Sequence, residues 1–149
     1  MTSWVNLTPT KGPALPASER AVELVAAAAE AAADKLADDI VAYDVSEQLV
    51  ITDAFLLCSA PNDRQVRAIV DAVEDRLRTL DAKPVRREGE REGRWVLLDY
   101  VDVVVHVQHA EDRQFYALER LWKDCPSVPL PEVVRVGRDG RAGDGSYGR

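Results

Sequence analysis

No stretch of the 149 residues stays apolar for the roughly 18 positions that a membrane-spanning helix requires, so no span is expected. The opening residues, MTSWVNLTPTKGPALP, hold one lysine and no extended apolar run, and do not read as a secretory signal. Cysteine is scarce. Cys58 and Cys125, without other secretory marks, suggest free thiols in a reducing cytoplasm. Positive charge is also in deficit, with a formal net charge of −7. The two ends, 1–17 and 126–149, are each +1, which leaves −9 on residues 18–125. Such a surface repels a phosphate backbone, so direct nucleic-acid binding is disfavoured and a basic protein patch is the better-matched partner. Nor is there an Asp-x-Asp pair of the kind that holds Mg²⁺ for nucleotidyl transfer.

What is present fits one domain with a proper core. Residues 1–17, with three prolines and no periodicity, read as a mobile arm. Ser18 is a good N-cap for a helix from about Glu19 to Leu36, whose apolar side is marked by Val22, Val25, Ala29, Ala32 and Leu36. Ile40–Val45 reads as a first strand. Ser46-Glu47-Gln48 is a turn, and Ala54–Ser59 suits a strand buried on both faces, with Cys58 as a small core residue. Asn62 and Gln65 form a capping box ahead of a second helix striped by Val66, Ile69, Val70, Val73, Leu77 and Leu80. On its outside, Arg67–Asp71 and Glu74–Arg78 are spaced for i,i+4 pairs on a solvated face. Lys83–Arg87 returns as a short edge strand. From Pro126 the composition turns to proline, glycine and charge. The tail 126–149 is expected to be mostly disordered, with Val133–Val136 as the one stretch that could dock as a strand.

The most informative segment is WVLLDYVDVVVHVQHAEDRQFYALERLW, from Trp95 to Trp122. Two β-branched and aromatic runs separated by Val101-Asp102 predict an antiparallel hairpin. A helix beginning near Glu111-Asp112 should then present Phe115, Leu118, Leu121 and Trp122 to the sheet. The five strands and three helices make an α/β domain with a mixed sheet flanked by helices. Alternation puts Trp95, Leu97 and Asp99 on one face of their strand, and Val96, Leu98 and Tyr100 on the other. Either face must pack on helices. His106 and His109 stand three apart on a strand, which points them to opposite faces rather than to one zinc ion. A neighbouring acidic side chain is the expected hydrogen-bond partner of the hairpin histidine. No metal or cofactor is expected. Arg113 and Tyr116 either brace the hairpin or extend a binding surface.

That segment, together with Ile51-Thr52-Asp53, Cys58 and Arg64-Gln65-Val66, resembles the ribosomal silencing factor (RsfS, Iojap-like) family over roughly residues 19–125. The resemblance implies a domain of 18–125, related in shape to nucleotidyltransferases but without their catalytic motif. It also implies a non-enzymatic, cytoplasmic regulator, homodimeric when free. Family members bind the large ribosomal subunit through large-subunit ribosomal protein fourteen and block subunit joining when nutrients are short. Read this way, Trp95, Leu97, Asp99, Asp102, His106, Arg113 and Tyr116 are the candidate partner-binding residues. Many family members have Gly where Val101 stands. A primed two-residue turn wants positive φ there, which Val disfavours, so another turn type is expected. The rival reading is a cryptic or degenerate nucleotidyltransferase using the small-residue corner at Cys58–Arg64, where a helix N-terminus could attract an anion. A dimeric adaptor unrelated to ribosomes is the third.

Overall fold

The computed structural model describes residues 18–49, 51–116 and 120–134, with side chains described outside 114–116. The proposed arm 1–17 and the tail beyond Val134, including two residues of the Val133–Val136 run, lie outside the described residues, as does Leu118. The elements in order are α1 (Glu19–Asp34), β1 (Asp38–Asp44), β2 (Ala54–Ala60), α2 (Asp63–Arg78), β3 (Arg86–Glu88), β4 (Trp95–Asp99), β5 (Val103–His109) and α3 (Ala110–Tyr116). The strands form one five-stranded mixed sheet in the order β1-β2-β5-β4-β3. Its central pair, β2 and β5, is parallel, and all other neighbours are antiparallel. The expected mixed α/β sheet of five strands is therefore what the chain builds.

Helix α1 starts as its sequence dictates: the Ser18 side chain accepts from the Ala21 N–H at 3.0 Å. The Ser18 N–H in turn donates to the Asp53 carboxylate at 3.0 Å, so Asp53 ties the helix start to the entry of β2. The buried side agrees with the spacing at Val25, Ala29 and Ala32 and departs from it at the two ends. Leu24, Val25, Ala21, Ala28, Ala29, Ala31 and Ala32 face inward, while Val22 and Leu36 are exposed. In an alanine-rich helix the small side chains let α2 approach closely, and that contact outweighs the placement of two larger aliphatics. Leu36 is exposed because it takes the left-handed C′ position (φ 62°), with Ala37 N–H bonding back to the Ala32 carbonyl.

Helix α2 keeps its expected stripe, with Val66, Ile69, Val70, Val73 and Leu77 buried. Only half of its capping box forms. Asn62 accepts from the Gln65 N–H at 2.8 Å, but the Gln65 amide donates to the Lys35 carbonyl at the end of α1 instead of returning to Asn62. The i,i+4 pairs do not form: Glu74 takes Arg87 of β3, Arg67 donates to the Arg91 carbonyl, and Arg78 pairs within the helix at i,i+3 with Asp75. Glu74 is thereby largely enclosed rather than solvated.

Both long helices cover one face of the sheet, where Leu56, Cys58, Val96, Leu98, Val103, Val105 and Val107 complete the core. After α3 the chain runs to the free edge of β1. There Asp44 N–H donates to the Pro126 carbonyl, Ser127 bridges Tyr43, and Val128 N–H donates to the Ala42 carbonyl. Val128 and Val134 are buried, so packing continues past residue 125. The strand-like docking is made by Pro126–Val128; Val133 is exposed and begins no strand.

Candidate functional site

The other face of the sheet carries the residues singled out by the sequence. Register places Arg86 opposite Asp99, Glu88 opposite Leu97, Leu97 opposite His106, and Trp95 opposite Gln108, so all of these side chains share that face. Phe55 and Leu57 of β2 and Val41 and Tyr43 of β1 continue it. Trp95, Leu97 and Asp99 are half-buried, whereas their neighbours Val96 and Leu98 are enclosed under the helices. The strand alternation thus separates a face enclosed under α1 and α2 from a second face that is closed over β2 and β5, where Leu57 and Gln108 are fully buried, and open only along β3 and β4.

His106 lies beneath this surface. It is only 6% exposed and accepts the Trp95 indole N–H on Nδ1 at 3.2 Å. The expected acidic partner is replaced by an aromatic donor. Accepting at Nδ1 requires an uncharged imidazole carrying its proton on Nε2, and burial favours that form, pushing the pKa down to about 4. The Phe55 ring meets the imidazole edge-on with centroids 5.1 Å apart, and Trp122 meets Phe55 in the same manner at 5.1 Å. Four rings, Trp122, Phe55, His106 and Trp95, therefore run in contact from the segment after α3 across three strands. Buried polar atoms without a hydrogen-bond partner collect along this face: His106 Nε2, both amide atoms of Gln108, and Trp122 Nε1.

The hairpin turn settles the place of the two aspartates. Val101 does adopt positive φ (74°), against the expectation for a β-branched residue. The turn is nonetheless not a primed two-residue type. Asp102 N–H donates to the Tyr100 carbonyl at 2.8 Å, a three-residue γ-turn centred on Val101. Asp99 holds it by accepting the Val101 N–H on Oδ1 at 2.9 Å, while its Oδ2 lies 3.7 Å from Arg86. The Asp102 carbonyl accepts from Asp53 and Ala54 N–H groups at the start of β2, which ties the turn to the centre of the sheet. Asp102 is half-buried at the rim.

Arg113 belongs elsewhere. It is buried and donates to the Asp39 carbonyl at 2.6 Å, bracing the irregular start of β1 rather than the hairpin. Tyr116 lies in α3, and its side chain is outside the described residues, as is that of Phe115. Leu121 is exposed, not directed at the sheet. What the sequence reading missed is Phe55 and the β3 pair Arg86 and Glu88; Trp122, expected against the sheet, packs there on Phe55. Alternation marks Phe55 and Leu57 as sharing one side of β2, but only the register across three strands brings them beside His106.

The corner after β2 offers a different arrangement. An open cleft of about 610 Å³ is lined by Asn62, Asp63, Arg64, Arg94 and His109. Arg94 is engaged there by Asp112 at 2.9 Å and Glu111 at 3.1 Å, and His109 Nδ1 accepts the Glu111 N–H. His106 and His109 do point to opposite faces of β5. Among the described residues no three His, Cys, Asp or Glu side chains are grouped to hold a metal ion, and no helix is long and apolar enough to cross a membrane. Cys58 is fully enclosed, with its thiol pushed up to about 12 by burial, so it is core and not nucleophile.

Comparison with known proteins agrees with the fold and extends it. The family model described as "Ribosomal silencing factor during starvation" matches residues 18–145. A "Ribosomal silencing factor RsfS" of Bacillus subtilis is 43% identical over 103 residues, covering 69% of this chain and 87% of the relative. A crystal structure of a Bacillus halodurans protein superimposes with a TM-score of 0.64 at 38% identity, covering 72% of this chain and 98% of the other. A Chromobacterium violaceum crystal structure gives 0.66 at 34% identity, covering 68% and 84%.

Proposed function

The chain belongs to the RsfS ribosomal silencing factor family, and from that premise we propose that it binds the large ribosomal subunit with the open face of its sheet. The partner in this reading is large-subunit ribosomal protein fourteen. Occupying that place keeps the small subunit off, which lowers translation under nutrient limitation. The protein acts in the cytoplasm, without catalysis, and is a homodimer when free. The observation that carries the reading is the half-buried row of Trp95, Leu97 and Asp99 on the face not covered by α1 and α2. Its aromatic anchor, sharing a strand face with Asp99 and with Asp102 in the turn beyond, on a domain of net charge −9, suits a partner patch that is basic and partly apolar. His106 supports the surface from below, and Asp99 is shared between the surface and its own turn.

The test is a sucrose gradient of purified subunits mixed with the protein. Wild type should travel with the large subunit and reduce formation of whole ribosomes. Trp95→Glu should do neither, because loss of a central aromatic anchor costs about 2 kcal/mol or more and the new carboxylate must be desolvated. Wild-type behaviour by a normally folded Trp95→Glu variant would remove the open face from consideration.

A further inference from the structure

We propose that His106 is a positioning residue for partner recognition: its imidazole Nδ1 fixes the orientation of the Trp95 indole, and Phe55 and Trp122 hold His106 from behind. The inference rests on the reading that Trp95 is the anchor of the binding face, and it assigns how that anchor is kept in place.

Trp95 is the first residue of β4 and follows a six-residue loop from Gly89 to Arg94. A tryptophan at the end of a strand beside a loop has several χ1 and χ2 wells within reach. The indole N–H reaches diagonally across the β4–β5 pair to Nδ1 of His106, two residues from its direct partner Gln108. That bond selects one well. The ring centroids, 6.2 Å apart with planes tilted by 49°, place the two rings side by side rather than stacked, so what His106 contributes to the indole's direction is the bond and not stacking. His106 itself has no freedom to follow, because Phe55 packs on it at 5.1 Å and Trp122 packs on Phe55 at 5.1 Å. Holding a large side chain in its bound rotamer before association removes an ordering cost of about 0.5–1.5 kcal/mol, a factor of roughly three to ten in affinity. Buried as it is, His106 cannot supply that factor by touching the partner.

Two substitutions separate positioning from packing. His106→Phe keeps a ring against Phe55 and removes the acceptor. His106→Asn puts an amide oxygen close to where Nδ1 sits and gives up the ring. The readouts are affinity for large subunits and the Trp95 indole N–H resonance in a ¹⁵N spectrum, assigned with Trp95→Phe. The expectation is that His106→Phe moves that resonance to the position of an indole without an internal acceptor and weakens binding three- to tenfold. His106→Asn should recover both in part. A benzothiophene in place of the Trp95 indole, which keeps the ring and drops the N–H, should reproduce the loss even if His106→Phe does not fold. A shifted resonance or benzothiophene replacement with wild-type affinity would overturn the proposal. Trp95→Glu run alongside keeps the two readings apart. If it binds like wild type, the open face is not the site; if it fails to bind while His106→Phe binds fully, the face stands and the positioning role falls.

Discussion

The two faces of the sheet are made from the same strands and differ in every respect that governs what a surface can do. Under α1 and α2 the side chains are Ala, Val, Leu and Ile, all but closed to solvent, with Tyr100 OH as a buried polar group lacking a partner. On the opposite face stand two tryptophans, a phenylalanine, an uncharged histidine and a glutamine, with several N–H and C=O groups unspent. Close-packed aliphatics give stability and no chemistry. Half-exposed aromatic and acidic side chains such as Trp95 and Asp99 add less to stability and can be met by another surface. Adjacent residues on one strand therefore answer to different constraints, Leu98 to packing and Leu97 to recognition.

The sharpest way to break this contrast is to truncate those two leucines separately. Leu98→Ala opens a cavity in a fully enclosed site and should cost about 2–5 kcal/mol, read as a large drop in denaturation midpoint. Leu97→Ala, one residue away, should cost about 1 kcal/mol or less in the same measurement while weakening attachment to large subunits. Equal losses of stability would mean that the open face is a second core.

Acid should sharpen the contrast from the other side. His106 has a pKa of about 4 in the folded chain against 6.5 when exposed. Below 6.5 the unfolded chain takes up a proton that the folded chain refuses. The contribution of the neutral imidazole is thus complete above pH 6.5 and is lost as pH falls towards 4, by on the order of 3 kcal/mol. Denaturation curves of wild type and His106→Phe should converge in stability through that interval. Parallel curves would show that the histidine titrates normally.

The smallest effect concerns the turn that joins the two strands. Val101 sits at φ 74°, where its side chain costs about 1–2 kcal/mol. Val101→Gly removes that strain but gives the unfolded chain about 0.5–1 kcal/mol more freedom. A net gain of about 0.5–1 kcal/mol in chemical denaturation is expected, with unchanged binding.

Much of this architecture was legible in the residues. The hairpin, the buried strand at Ala54–Ala60, the stripe of α2 and the Ser18 and Asn62 caps all follow from local pattern, because each depends on neighbours a few positions away. The inward face of α1 was legible only in part: Val25, Ala29 and Ala32 are buried as their spacing suggests, whereas Val22 and Leu36 are exposed. With so many alanines, periodicity carries little signal, and close approach to α2 decides which side is buried. The ion pairs of Glu74 and Arg94 were equally hidden, since both join elements far apart in sequence. At the candidate site, Trp95, Leu97 and Asp99 were placed correctly on one face. The depth of His106 and Arg113 needed the third dimension, for a strand position and a helix position say nothing of what lies above them.

The seam between Ala42–Asp44 and Pro126–Val128 has a consequence for how the protein is made. Synthesis runs from the N-terminus, and a domain that emerges in order can pair β1 with nothing but β2 until more than eighty further residues have been added. During that interval the outer edge of β1 offers its free N–H and C=O groups to any passing strand. Closing of the seam is thus a late event in the life of the nascent chain, and a polypeptide released before Pro126 would carry an open edge into a crowded solution. A stretch made long after β1 is the one that makes the sheet safe.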